Sequence, residues 1–501
     1  MRQKAICIPA LCLILMLLAA CQPTPDKPVV VNKGDGQIEQ KIAAQADAPL
    51  PTDLPQDGTR IQKTIKHPNL NISIDIDATA VIEQGKAMPA VKVTPHRFTQ
   101  EEVDRIYDTY VGDAHFFRVP DGETWDFRAK QDIAETEVRL EYTKKERSDP
   151  ASIDRAEKGV DRARKKYLQA KKSAEFAAVS HRLCKENLVF GGDLTEGVYG
   201  YFEKDGQAYL FTAVNDADGT SSEMSLERFR EDVKGEIFEE WMELLPRISI
   251  LEQGKSLREI PYADALGIAE AAVQSFGAKG MALAHAEAKQ YPENTLTSYY
   301  TFYFTRVVNG VPCKYDTTGI ANDEGYSDIW NYEQLMVTVD QYGLKCINWT
   351  APCDVTQQLS KSTAMIPFEE AMDRFAKMVF VKNSYLEDEM KLAVTLAERG
   401  PAIYDRSGNT GKDSLKVERL VVHINRITLG LMRVQSGEEY LLIPVWDFYG
   451  YREAFTADGR DIYILAYEHT SEGQAPYKPY IGSVMTISAI DGSIIDRNKG
   501  Y

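Results

Sequence analysis

The feature that most constrains this chain is an ordered set of internal matches in its second half. "PYADAL" at 261–266 returns as "PFEEAM" at 367–372, each setting a proline and an aromatic ahead of an acidic residue, an alanine and an aliphatic one. Carboxylates in a first turn suit the positive end of a helix dipole, so both read as helix starts. "FTRVVNGVP" at 304–312 aligns without a gap with "INRITLGLM" at 424–432, setting Arg306 against Arg426 and Gly310 against Gly430. "LMVTVDQYGLKCIN" at 335–348 aligns with "VMTISAIDGSIIDRN" at 484–498 once one residue is inserted. Three matches in one order predict a duplicated module, 256–360 and 361–501, with Gly310 overlying Gly430.

Each module reads as a helix followed by antiparallel strands. "SYYTFYFTRVV" at 298–308 is aromatic and β-branched, and Asn309 and Gly310 suit the positive φ angles of a type I′ hairpin turn. Pro444 within "YLLIPVWDFYG" at 440–450 predicts a sheet edge or a bulge, and Asp447 is expected as an outward-facing carboxylate on that edge. Arg306 and Arg426 are expected to pair with carboxylates across the sheet. This order, with its F-x-R-x-x-N-G-x-P hairpin and terminal I-D-G turn, resembles PepSY-like domains of secreted and membrane-anchored Gram-positive proteins over about 256–501. It is also similar to extracytoplasmic YycH/YycI-type regulators and to clostridial lipoproteins of this length. The resemblance implies modules that bind or inhibit other proteins and do not catalyse.

The first half is patterned differently. In "NISIDIDATAVI" at 71–82, Ile72, Ile74 and Ile76 alternate with Ser73, Asp75 and Asp77, a half-buried strand. Thr99 and Glu102 form a capping box before a helix ending near Val111. "GYFEKDGQAYLFTAV" at 200–214 is a hairpin turning at Asp205 and Gly206. Residues 69–250 are thus expected as an N-terminal α+β domain, and the whole as a multi-domain α+β chain of antiparallel sheets with packed helices. Within that domain, about 129–178 predicts a long helical hairpin. Asp149 and Pro150 start its second helix, whose seam of Ile153, Ala156, Val160, Ala163, Tyr167, Ala170, Ala174 and Ala177 repeats at three and four. Ile133, Val138, Leu140 and Tyr142 would face it.

The amino terminus speaks to place. Arg2 and Lys4 precede an apolar stretch, Ala5 to Leu18, and Leu18-Ala19-Ala20-Cys21 matches the lipobox of bacterial lipoproteins. Residues 1–20 are expected to leave as a signal peptide, with Cys21 as the lipid attachment site holding the chain to the extracytoplasmic face of the cell membrane. Residues 21–68 carry Pro23, Pro25, Pro28, Pro49, Pro51, Pro55 and Pro68 and are expected as a disordered linker. No later apolar run is long enough for a transmembrane helix.

Chemistry is sparse. A formal net charge of −17 argues against nucleic acid as a partner. No GxSxG, HExxH, P-loop or Rossmann fingerprint occurs, and "NDADGTSSE" at 215–223 lacks EF-hand spacing, so it reads as a hairpin loop. The histidines are scattered, with His423 expected as a satisfied core residue. Beyond the leader and Cys21 remain Cys184, Cys313, Cys346 and Cys353, which either stay free or pair, with Cys346 and Cys353 close enough to close a small loop. No catalytic residue, cofactor or metal site is predicted. The expected function is a protein-interaction or regulatory lipoprotein acting on a sensor kinase, a protease or an envelope assembly. A solute-binding lipoprotein is the alternative, although its repeated βα units are missing, and a cell-envelope enzyme comes last. The hairpin tip is the one basic place: between Lys144 and Lys172 stand eleven Lys and Arg against five acids. A solvated helix face is the plainer account. The other is a contact surface at Lys165, Lys166, Lys171 and Lys172 for anionic headgroups, an acidic protein or a wall polymer.

Overall fold

The computed structural model describes residues 37–44, 47–82, 87–118, 150–170, 180–186, 195–216, 220–229, 249–251, 254–290, 298–315, 332–383, 418–437, 439–455, 482–497 and 499–500, with single residues between 133 and 144 and at 459 and 461. Among them are two large sheets. The first contains β1 (Arg60–Lys66), β2 (Ile72–Ile82), β3 (Ala90–Pro95), β15 (Cys353–Ser360), β16 (Arg419–Ser436), β17 (Glu439–Phe455), β18 (Gly482–Ser488) and β19 (Ile494–Ile495). Its order is β1-β2-β16-β17-β18-β19, with β3 paired to both β15 and β17. Its pairs are antiparallel except that β16 runs parallel to β2.

The second sheet contains β4 (Phe117–Arg118), β5 (Cys184–Glu186), β6 (Thr195–Lys204), β7 (Gln207–Asn215), β8 (Glu223–Phe229), β9 (Ser249–Leu251), β10 (Met281–Gln290), β11 (Tyr299–Val308), β12 (Val311–Pro312), β13 (Gln334–Asp340) and β14 (Gly343–Thr350). Its order is β4-β6-β7-β8-β14-β13-β11-β10-β9, with β12 on β11 and β5 on β6. The helices are α1 (Gln37–Ala44), α2 (Gln100–Ile106, running on as a π-helical turn to Val111), α3 (Pro150–Ala170), α4 (Tyr262–Ser275) and α5 (Phe368–Lys382). This is the multi-domain α+β class the patterning implies.

Each sheet buries one face under a helix. Tyr300, Phe302 and Phe304 of β11 share a core with Ala265, Ala269 and Ala272 of α4, where small helical residues let the backbone approach bulky strand residues. In the first sheet Phe368, Met372, Phe375 and Val379, spaced at four, three and four, put one face of α5 onto β17. Phe375 stacks on Phe448 at 4.1 Å and Phe368 meets Trp446 at 4.9 Å. The opposite face of this sheet is covered too, by Ile42 of α1 and Tyr332 packing with Met432, Val434 and Ile443. Strands buried on both faces need continuous apolar runs, which β16 and β17 supply.

Local chemistry holds where it was read. Ile72, Ile74 and Ile76 are buried, and Thr99 closes its capping box with Glu102. Asp205 and Gly206 (φ 54° and 73°) and Asn309 and Gly310 (φ 52° and 82°) take the left-handed angles of type I′ turns.

Longer-range expectations need correction. The sheets divide the chain otherwise than a boundary at 250 does: residues 60–95 join the first sheet with 419–495, while 117–229 extend the second through the β8–β14 pair. The linker reading of 21–68 fails from residue 37 onward. Ile42 is 1 % exposed, Lys41 pairs with Asp491 at 2.9 Å, and β1 is a strand. Gly310 and Gly430 stand in unrelated places, the first in the turn between β11 and β12, the second inside β16, so the expected overlay does not hold.

Asp447 is fully buried on a strand paired on both sides, not outward on an edge. Pro444 explains why this is tolerated. β17 pairs with β3 through Leu442 and with β18 from Val445, so the missing N–H falls where one neighbour ends and the next begins.

Candidate functional site

The basic run lies on α3, and its placement follows from helix geometry. At 100° per residue, Ile153, Ala156, Val160 and Ala163 share one face; Val160 and Ala163 are buried, and the other two are half-buried. Two ion pairs show what that side faces: Arg164 with Glu137 and Lys144 with Glu157, both at 2.8 Å. The residue numbers of each pair sum to the same value, so the described residues from 137 to 144 run antiparallel to α3.

Opposite that face, Arg155, Lys158, Arg162, Lys165 and Lys166 are all exposed and fall within an arc of about 100°. The acids Asp154, Glu157 and Asp161 sit together on one flank. Among the described residues Lys158 pairs with Asp154 at 2.7 Å, and no ion pair engages Arg162, Lys165 or Lys166. The stripe runs about 16 Å along the axis. Of the expected contact residues, Lys165 and Lys166 therefore stand on it, while Lys171, Lys172 and Cys21, the expected lipid attachment site, lie outside the described residues. Reading the run at three- and four-residue spacing would have selected Arg155, Lys158 and Arg162.

Away from the stripe, charge is spent on joining the two sheets. The chain crosses from β3 to α2 beside its return from β14 to β15, where His96 N donates to Pro352 O at 2.9 Å. His96 lies between two carboxylates, with Nδ1 2.8 Å from Asp354 and Nε2 3.1 Å from Glu102, and is stacked on Trp349. The Glu102 hydrogen bond, aided by Asp354, raises the imidazole to about 9 against the opposing effect of burial. An imidazolium at neutral pH thus ties α2 to β15. On the other side of Trp349, Arg306 and Glu333 form a bidentate pair at 2.7 Å. Glu333 also accepts from Trp349 Nε1 at 3.2 Å and from Cys353 Sγ at 3.2 Å. The cross-sheet partner expected for Arg306 is therefore Glu333, whereas Arg426 lies over the Tyr449 ring at 4.1 Å.

Between the sheets, Thr305, Cys313, Glu333, Cys353 and Arg433 line a cavity of about 20 Å³, room for about one water. Cys184, Cys313, Cys346 and Cys353 are free thiols, so the short Cys346–Cys353 loop is not closed. Burial pushes Cys313 and Cys346 up to about 12 and Cys353 well above its ordinary value, which keeps these three protonated and poor nucleophiles.

A third cluster lies within the first sheet. Asp447 accepts from Ser483 Oγ at 2.6 Å and Thr486 Oγ1 at 3.2 Å and pairs with Arg497, whose Nε donates to Thr486 at 2.8 Å. His423 meets Glu453 at 2.7 Å and stacks on Tyr451, a satisfied histidine. Among the described residues no three His, Cys, Asp or Glu gather as metal ligands, and no helix is long and apolar enough to cross a membrane. None of these long-range partners leaves a local sequence signal; His96 and Asp354 are 258 residues apart.

No family model matches the chain, and no curated protein matches its sequence. Two solved structures are distantly similar. One is the crystal structure of an uncharacterized protein from Eubacterium rectale ATCC 33656, 11% identical, covering 94% of this chain and 99% of that one at a TM-score of 0.36. The other is the Bacillus megaterium YpeB C-terminal domain, 10% identical, covering 60% of this chain and 98% of that one at a TM-score of 0.18.

Proposed function

We propose that this chain is an extracytoplasmic lipoprotein, tethered through Cys21, that serves as an interaction or regulatory module and docks through α3. The observation that carries the reading is the exposed stripe of five cations on a chain whose formal net charge is −17. The described interior charges support it from the other direction, because Arg306, His96 and Asp447 are held by partners that join or fill the sheets.

A photo-crosslinking residue at Lys166 of the lipidated protein, in its own membranes, should capture a discrete adduct. That adduct should vanish when Arg162 and Lys165 are reversed to Glu. The same probe at Gln62, on exposed β1, should not give it. An adduct indifferent to charge reversal, or none, overturns the docking role. The tether is tested apart from it: Cys21→Ser should abolish incorporation of a fatty-acid analogue, and label retained on the serine variant would refute the lipobox.

A further inference from the structure

Resting on that interaction reading, we propose that what the α3 stripe meets is the anionic phospholipid surface of the membrane to which the chain is tethered. The first reason is the shape of the charge. Arg155, Lys158, Arg162, Lys165 and Lys166 form a straight row, with the acids displaced to one flank and the apolar seam turned away. A planar field of headgroups satisfies such a row anywhere along it, whereas a folded acidic partner would have to match each position. Each Lys or Arg close to an anionic bilayer adds to binding, and the contributions accumulate along the row.

A second reason is the tether. The first described element begins at Gln37, with fifteen residues between it and Cys21, at most about 55 Å of chain. A body held on so short a lead meets its own bilayer as an intramolecular partner at high effective concentration. The rest of the chain sharpens the orientation. An acidic body is repelled by anionic headgroups, so the basic row is the face that can approach. Tether and stripe would then be two attachment points on the same bilayer.

The test uses the full mature chain with Cys21→Ser, so that no lipid contributes. It should co-sediment with vesicles of phosphatidylglycerol and phosphatidylcholine (1:3) at 50 mM salt and fail to bind phosphatidylcholine alone. Raising salt to 300 mM should weaken binding at least about tenfold. Arg162→Glu, Lys165→Glu and Lys166→Glu together should weaken it at least about thirtyfold, and the corresponding Gln variant should fall between. An unchanged thermal melt for both variants excludes misfolding, since these residues point away from the seam. Wild-type protein that ignores phosphatidylglycerol at 50 mM salt, or a reversal variant that binds as well as wild type, overturns the proposal. If vesicles fail while the Lys166 probe still captures a protein in a charge-dependent way, the lipid assignment falls and the interaction reading stands. If both fail, both fall.

Discussion

Helix α4 is followed by β10, β11, β13 and β14, and helix α5 by β16, β17, β18 and β19; in each sheet the four strands also lie side by side in that order. The two units differ in how their edges are closed. In the second sheet the last strand of the meander, β14, is covered by β8, whereas in the first sheet the first strand, β16, is covered by β2 running parallel to it. An unpaired strand edge invites association. The amino-terminal half closes one edge of each meander, and the opposite edge in each case. The described strands of that half are accordingly divided between the two sheets.

The units also differ in what they bury. The first sheet places Asp447 at full burial in the middle of its meander, opposite Arg497. Asp447→Ala should have the largest effect, about 3–5 kcal/mol, because it strands a buried guanidinium. The melting temperature of the mature chain reports it, and a loss below about 1 kcal/mol would show that water reaches Arg497 and that the cluster is no buried pair.

Next in size is the tie between the units. The folded-state value of His96 lies above that of the unfolded chain, 6.5 against about 9, so its stabilisation is complete below pH 6.5 and lost as pH rises through 9. The full difference corresponds to roughly 3 kcal/mol. Denaturant unfolding at pH 6 and pH 9.5 should therefore show wild type losing stability relative to His96→Gln. Parallel pH profiles would mean that His96 is not held as an imidazolium and that the crossover is joined some other way.

What was legible in the sequence divides along the same line. Turns at Asn309–Gly310 and Asp205–Gly206, the Thr99 cap and the alternation of β2 are written in residues within a few positions of one another, and they stand in the structure. The Pro261 and Pro367 helix starts occupy equivalent places, as do the Gly343 and Gly492 turns between the last two strands of each meander. Asp447 was misplaced because a polar residue beside Pro444 has the local pattern of an edge. At Asp447 that strand is flanked by β16 and β18, and its carboxylate is met by Arg497 fifty residues later, none of which spacing reveals. Part of the exposed basic stripe was visible as a basic run, and the helix period adds Arg155, Lys158 and Arg162 to Lys165 and Lys166.

The smallest predicted effect bears most directly on the comparison. If the matched stretches 304–312 and 424–432 were equivalent, alanine at Gly310 and at Gly430 would cost the same. The structure expects otherwise. Gly310 sits at φ 82°, where an added Cβ strains the backbone by roughly 1–2 kcal/mol whatever space surrounds it. Gly430 lies inside β16 without a left-handed φ, and its new Cβ would meet Lys314 Cε at 3.2 Å and Pro312 O at 3.3 Å. The lysine end can move while Pro312 O, a backbone atom, gives less, and that cost offsets the entropy Ala regains over Gly, about 0.5–1 kcal/mol. Gly430→Ala should therefore lie within about 0.5 kcal/mol of wild type, with Gly310→Ala clearly less stable. Equal losses at the two positions would show that the left-handed φ of Gly310 carries no cost beyond that of a strand glycine.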